Sequence, residues 1–179
     1  MEKYIALLRG VNVGGKNKIS MPLLKATFKE REFLDVSTYI NSGNITFGSE
    51  IENKTMLQEQ CQQIIMDVFH LDIAIAIISA HDLSEALLHA PTWWDNDIES
   101  KHNAVFVIPP ASTEFIMKEI GETKPEYELV AYYGQIIFWS APVKTFSRTR
   151  LSRITSTALS NSITIRNANT VKKLLQHSI

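Results

Sequence analysis

A glycine-rich loop near the start of the sequence carries the residue types best suited to binding chemistry. Residues 9–17 read RGVNVGGKN. Gly10, Gly15 and Lys16 have the spacing of a phosphate-binding P-loop, but Asn17 stands where that motif needs a Ser or Thr hydroxyl to hold Mg²⁺. We therefore expect no nucleotide hydrolysis that depends on Lys16.

The same loop can still bind an anion without any hydrolysis. Its backbone N–H groups, with the side chains of Arg9, Asn12 and Lys16, could form an anion nest. Gly14 and Gly15 are adjacent, which predicts a positive φ angle at one or both of them. The alternative is a glycine-dependent connection with solvated cations.

A second polar turn, residues 41–44 with the sequence NSGN, contributes Asn41 and Asn44 as further candidate ligand-binding residues. Taken alone, this sequence is typical of a hairpin turn with no other role. In a βαββαβ unit, however, the end of the first strand and the turn between the second and third strands share one sheet edge. We therefore expect this turn to lie beside loop 9–17.

The second half of the chain has its own set of cationic and polar candidates. By the same topology they should share one sheet edge and form an electropositive site, the alternative being a solvated rim. The candidates are Lys101, His102, Lys144, Arg148, Arg166 and Asn167. His102 is also the one well-placed general acid or base, so an enzyme is an alternative function.

Trp93 and Trp94 support a third hypothesis, a protein-interaction module anchored by an aromatic pair. The alternative is that the pair anchors packing between the two halves of the chain. No metal site is predicted, because the histidines lack the spacing of a ligand pair. No cofactor is predicted either.

The pattern of apolar residues predicts an α+β fold in which the order βαββαβ occurs twice, as two ferredoxin-like halves packed as one compact body. The first half spans 1–79, a helix and loop connector spans 80–101, and the second half spans 102–179 with an extra closing helix. A helix with Leu151, Ile154 and Ala158 on its inner face is expected in the second half.

Composition limits the classes of protein that this chain can be. The 179 residues are 45% apolar and carry a net charge of −1, but every residue after Glu128 is neutral or basic. That final segment carries a charge of +7, so residues 1–128 carry −8. Cys61 is the only cysteine, and there is neither a signal peptide nor a long apolar run, so we expect a cytoplasmic protein with no membrane association.

Three segments together resemble a known family. They are ALLRGVNVGGKNKI at 6–19, TYINSGNITF at 38–47 and TIRN at 164–167. The first two are specific to the family called domain of unknown function 1697, which bacteria commonly carry. The resemblance implies two ferredoxin-like subdomains and no assigned activity, substrate or catalytic residue.

These observations favour a module that binds a phosphate-bearing ligand, either a small molecule such as a nucleotide or a nucleic acid. The expected site is a cleft between the two halves, rich in Gly, Asn, Arg and Lys. The enzyme and the protein-interaction module are the alternatives. The sequence does not indicate an oligomeric state.

Overall fold

The structure of the protein is a computed structural model that describes residues 1–178. The chain divides into two compact units, one made of Met1–Ser84 with Lys173–Ile179 and the other of Glu85–Lys172. The first unit is therefore discontinuous in sequence, because the end of the closing helix belongs to it. The predicted connector 80–101 is divided between the two units.

The first unit contains a four-stranded antiparallel sheet of order β2-β3-β1-β4. Its strands are β1 (Glu2–Leu8), β2 (Leu34–Tyr39), β3 (Asn44–Ser49) and β4 (Ile75–Ser79). This order is the one that a split βαβ unit produces, with β3 inserted between β1 and β2. The predicted fold class is confirmed for this unit.

Two helices cover one face of the first sheet. Helix α1 (Met21–Glu30) begins after Ser20, whose hydroxyl caps the N–H of Leu23, and α2 (Lys54–Phe69) begins after Asn53, whose side chain accepts from the N–H groups of Thr55 and Met56. Alternate residues of the central strands pack with the apolar faces of both helices in one core. This packing fixes the sheet edge from which the glycine-rich loop emerges.

The second unit repeats this plan with a sheet of order β6-β7-β5-β8. Its strands are β5 (Ser100–Val107), β6 (Leu129–Tyr133), β7 (Ile136–Pro142) and β8 (Ile163–Asn167). Helix α3 (Ala80–Leu88) precedes this sheet in the chain, and α4 (Thr113–Ile120), capped by Ser112, lies between β5 and β6. The second half thus also confirms the predicted ferredoxin-like order.

The segment between β7 and β8 is less helical than its apolar spacing predicts. Helix α5 covers only Arg150–Ile154, between 3₁₀ turns at Val143–Arg148 and Ala158–Ser162. Hydroxyl groups explain the difference, because those of Ser152, Thr155 and Ser156 all donate to carbonyls three residues earlier. Such bonds compete with the helical ladder and favour short turns.

The closing helix, α6, runs from Ala168 to Ser178. Asn167 Oδ1 accepts a hydrogen bond from the N–H of Thr170 at 2.8 Å, as expected of a residue that caps a helix start. The first residues of α6 belong to the second unit and its last residues to the first. His177, near its end, lies 5.2 Å from the ring of Tyr39 in the first unit.

Candidate functional site

The tip of the glycine-rich loop is a two-residue hairpin. The N–H of Lys16 donates to the carbonyl of Val13 at 3.1 Å, and Gly14 and Gly15 between them have φ angles of +58° and +75°. The predicted positive φ angles are confirmed. A P-loop opens a helix at its lysine, whereas here the next helix begins at Met21.

Two asparagine side chains hold this loop in shape. Asn12 Nδ2 donates to the carbonyls of Ile19 (2.9 Å) and Asn41 (2.8 Å), while Asn12 Oδ1 accepts from the N–H of Ile19 (2.9 Å). Asn17 Nδ2 donates to the carbonyl of Gly10 at 3.1 Å. The Asn12 amide therefore positions the loop, and its hydrogen-bonding groups are already engaged within the unit.

The two polar loops of the first unit lie side by side, as the topology predicts. Besides the bond from Asn12 to the carbonyl of Asn41, the carbonyl of Gly43 accepts from the N–H of Leu8 at 2.8 Å. Gly43 is also so close to Val11 that a Cβ atom there would lie 2.3 Å from its side chain. The buried Asn44 shapes the turn by donating to the carbonyl of Tyr39.

Basic side chains lie along this edge of the first unit. Arg9 is half-buried, and Lys16 and Lys18 are exposed. From Lys3 to Lys29 the sequence has six basic residues and no acidic one. Arg9, Lys16 and Lys18 therefore give this edge positive charge, which suits contact with an anion.

In the second unit, the strand register brings the predicted candidates to one edge but divides their side chains between two faces. Lys101 lies 4.4 Å from the ring of Phe146, on the face that the helices cover. Since neighbouring residues of a strand point to opposite faces, His102 lies on the other face. Arg166 joins His102 there, because it pairs with Ala104.

The surroundings of Arg166, Asn167 and Lys144 differ from one another. Arg166 is buried, which lowers the pKa of its guanidinium to about 10 and still leaves it protonated at neutral pH. Asn167 caps α6, and Lys144 is exposed on the 3₁₀ turn. The predicted set therefore does not form one cationic cluster on one face.

His102 is a buried histidine with hydrogen bonds at both ring nitrogens. Its Nε2 lies 2.8 Å from the carbonyl oxygen of Asp97 and its Nδ1 lies 2.6 Å from Oγ of Ser140. In a neutral ring, Nε2 therefore donates to the carbonyl and Nδ1 accepts from the hydroxyl. A substrate would have to displace one of these partners, so the geometry does not favour His102 as an acid or base.

Trp94 is a structural residue of the second unit. Its indole N–H donates to the carbonyl of Asn103 at 2.8 Å, and its ring meets that of Phe138 edge-on at 5.1 Å. Trp94 is buried and Trp93 is half-buried. Neither ring is presented as a fully exposed anchor for a protein partner.

A basic cleft of about 310 Å³ lies in the second unit. Three of its cations follow β7, and the fourth precedes β6. The lining residues are Lys124, Tyr127, Glu128, Arg148, Arg150 and Arg153. Within residues 1–178, none of the four cationic side chains forms an ion pair or a hydrogen bond.

Glu128 connects the two walls of this basic cleft by hydrogen bonds. Its side chain is 2% exposed, and its two carboxylate oxygens accept from the N–H groups of Arg150 (2.6 Å) and Leu151 (3.4 Å). On the other wall, the N–H groups of Tyr127 and Glu128 both donate to the carbonyl of Lys124. The two segments that carry the cations are thus joined through a carboxylate that accepts backbone hydrogen bonds.

Of the residues that line the basic cleft, the sequence had identified only Arg148. The dense run of Arg148, Arg150 and Arg153 was visible, as was the position of Glu128 as the last acidic residue. Nothing in the sequence indicated the contact between Glu128 and α5, which brings Lys124 alongside the arginines. That contact joins residues more than twenty positions apart.

Two further properties of the described residues bear on function. No group of three or more His, Cys, Asp or Glu side chains in residues 1–178 is arranged to hold a metal ion. None of the helices in that same range is both long enough and apolar enough to cross a membrane.

The fold and the site define an α+β protein of two ferredoxin-like units, one with a braced cationic loop and the other with a basic cleft. The family described as "Protein of unknown function (DUF1697)" matches residues 1–138. The chain belongs to the DUF1697 family, which confirms the resemblance carried by its two loop motifs. A search of curated proteins found no match.

Among the solved structures that match this chain is one that is similar along nearly its whole length. It is described as the conserved bacterial protein SP0830 from Streptococcus pneumoniae, and it is 29% identical in sequence. The similarity covers 99% of each chain with a TM-score of 0.87. The fold is therefore shared with a bacterial protein along nearly its whole length.

Proposed function

We propose that this protein binds a phosphate-bearing ligand and that the basic cleft of the second unit is its principal site. The observation that carries the proposal is the set of four cationic side chains without ion pairs that line one cleft: Lys124, Arg148, Arg150 and Arg153. Like charges gathered in one cleft repel one another. A multiply charged anion replaces that repulsion with attraction when it binds.

The types of cation support phosphate rather than a simple monovalent anion. A guanidinium group is planar and offers paired N–H donors that match two oxygens of a phosphate. Arg150 and Arg153 are three residues apart on α5, and residues at that spacing lie on the same side of a helix. Arg148 ends the 3₁₀ turn that precedes α5, two residues before Arg150, and Lys124 adds a point charge from the opposite wall.

The paired loops of the first unit are a second proposed contact region for the same ligand class. Their support is the hydrogen bonding between loop 9–17 and turn 41–44, which presents Arg9 and Lys16 on a braced edge. No observation favours catalysis at His102 or partner binding at the two tryptophans over this proposal.

The proposal is tested by isothermal titration calorimetry with inorganic pyrophosphate in magnesium-free buffer. Arg150→Gln and Arg153→Gln should each weaken binding by about 1.5–3 kcal/mol, or roughly ten- to hundredfold, because each removes a charged hydrogen bond. Lys118→Gln is the matched control, since Lys118 is an exposed cation of α4 that does not line the cleft. Equal loss of affinity in all three variants, or no binding by the wild type, would contradict the proposal.

A further inference from the structure

We infer that the ligand of the basic cleft is an organic diphosphate rather than a monophosphate or a triphosphate. This inference rests on the proposed function and specifies the ligand further. Three features of the cleft lead to it: the net charge of its lining, its size with an aromatic wall, and the fixed position of Glu128.

The charge of the lining matches two linked phosphate groups. Four cations and the carboxylate of Glu128 leave three positive charges among the lining residues. A phosphate monoester carries a charge of about −1.5 to −2 at neutral pH, and a second linked phosphate brings the total to about −3. A diphosphate therefore neutralises the cleft, whereas a monophosphate leaves cations unmatched and a triphosphate adds an unmatched anion.

The size of the cleft indicates a ligand larger than phosphate alone. Its volume of about 310 Å³ lies at the lower end of the roughly 300–1,000 Å³ found for small-molecule sites. Tyr127 is half-buried and lines the cleft beside the cations. Its ring offers a surface on which a base or another planar group can stack.

Glu128 limits how much negative charge the cleft accepts. Two backbone N–H groups hold its buried carboxylate, so it cannot swing into solvent when an anion enters. It therefore opposes any phosphate beyond the number that the cations neutralise. This makes Glu128 a specificity-determining residue that acts by repulsion.

The first arm of the test compares AMP, ADP and ATP by calorimetry with the wild-type chain in buffer containing a chelator, so that magnesium does not mask phosphate charge. We expect ADP to bind at least roughly tenfold more tightly than AMP, because it matches the three positive charges. ATP should bind no more tightly than ADP. Tyr127→Leu should weaken the binding of ADP roughly three- to tenfold, because stacking on the ring is lost. The affinity for inorganic pyrophosphate should stay at its wild-type value.

The second arm removes the carboxylate. Glu128→Gln keeps an oxygen to accept a backbone hydrogen bond and raises the charge of the lining by one, so the ratio of ATP affinity to ADP affinity should increase at least roughly fivefold. Glu126→Gln is the matched control, since Glu126 is exposed two residues away and does not line the cleft. It should leave that ratio unchanged.

The outcomes separate this inference from the proposed function. If AMP, ADP and ATP bind the wild type with equal affinity, the cleft binds phosphate but the diphosphate inference is wrong. An unchanged ratio in a folded Glu128→Gln protein would refute the role of Glu128. If no nucleotide and no inorganic pyrophosphate binds, the proposed function itself fails; and should Glu128→Gln not fold, the wild-type series still decides the matter.

Discussion

Gly43 lies where the turn of the first unit meets the glycine-rich loop. Its φ angle is +74°, and a Cβ atom there would lie 2.3 Å from Cγ2 of Val11 and 2.7 Å from Cβ of Leu8. Gly43→Ala should therefore lower the free energy of unfolding by about 2–4 kcal/mol, from backbone strain and overpacking together. Urea denaturation measures this change.

The matched control for that substitution is Gly14→Ala. Gly14 has a similar φ angle of +58°, but a Cβ atom there would meet no heavy atom within 4 Å. Only the strain remains, and we expect a loss of about 1–2 kcal/mol. Equal losses at Gly14 and Gly43 would mean that the close contact with Val11 contributes nothing.

Cys61 links stability to pH at the residue scale. Burial raises the pKa of its thiol well above the ordinary value. The unfolded chain therefore releases this proton first, above about pH 8.5, while the folded chain keeps it. Because the folded state binds more protons in that range, the contribution of the thiol to the free energy of unfolding is fully present below about pH 8.5. It declines as the pH rises, by up to about 1.4 kcal/mol per pH unit.

A comparison of wild type with Cys61→Ala isolates this effect from the tyrosines and lysines that titrate in the same range. Urea denaturation at neutral and alkaline pH gives the slope of stability against pH for each protein. We expect the steeper decline in wild type. Parallel slopes would show that the thiol does not ionise on unfolding as expected.

At the scale of elements, the paired loops of the first unit give a separable prediction about anion contact. In a background of Arg150→Gln with Arg153→Gln, which weakens the basic cleft, Lys16→Gln should reduce the remaining affinity for inorganic pyrophosphate. The expected loss is about 1 kcal/mol, or roughly fivefold. Calorimetry or a ligand-dependent thermal shift provides the measurement.

The control for this prediction is Lys29→Gln. Lys29 is an exposed cation in the same basic stretch, but it lies at the end of α1 and away from the loop. Its substitution removes the same charge and should leave affinity unchanged. An equal change of pyrophosphate affinity in the two variants would mean that loop 9–17 has only a structural role.

Local signals in the sequence identified most elements because those signals act over a few residues. Ser20 and Asn53, whose residue types favour helix starts, cap α1 and α2, since a cap needs only its own side chain and the next turn. The prediction that α5 includes Ala158 was wrong, because apolar spacing does not register the hydroxyls of residues such as Ser152 and Thr155. Those hydroxyls donate hydrogen bonds to backbone carbonyls and so compete with the N–H groups of the helical ladder.

The basic cleft could not be predicted in the same way. Arg148 was a candidate because of its charge, but Lys124 reaches the arginines through the bond between Glu128 and the start of α5. A contact between segments distant in sequence leaves no periodic pattern. In contrast, the pairing of loop 9–17 with turn 41–44 was predictable, because the βαββαβ topology alone dictates which strand ends share an edge.

At the scale of the whole molecule, positive charge is concentrated after Glu128, where seven basic residues occur without an acidic one. This bias makes binding of nucleic acid a measurable alternative. A single strand that contacts only the four cations of the basic cleft should bind with a log–log salt slope of about −2.8. Each arginine replaced by glutamine should make that slope shallower by about 0.7.

Titration of an oligothymidylate between about 50 and 200 mM salt checks this slope. Lys118→Gln should leave it unchanged, since that side chain lies outside the cleft. A slope much steeper than −2.8 would mean that the strand engages cations beyond the cleft. The cleft would then not be the principal site for nucleic acid.

The discontinuity of the first unit has a consequence for the order in which the protein matures on the ribosome. Domains generally fold as units while the chain is being made, beginning with the N-terminal one. Here residues 85–172 are translated between the two parts of the first unit, whose final segment is the end of α6. All residues of the second unit are therefore translated before the first unit gains residues such as His177, so the first unit can complete its fold only after the second has been made.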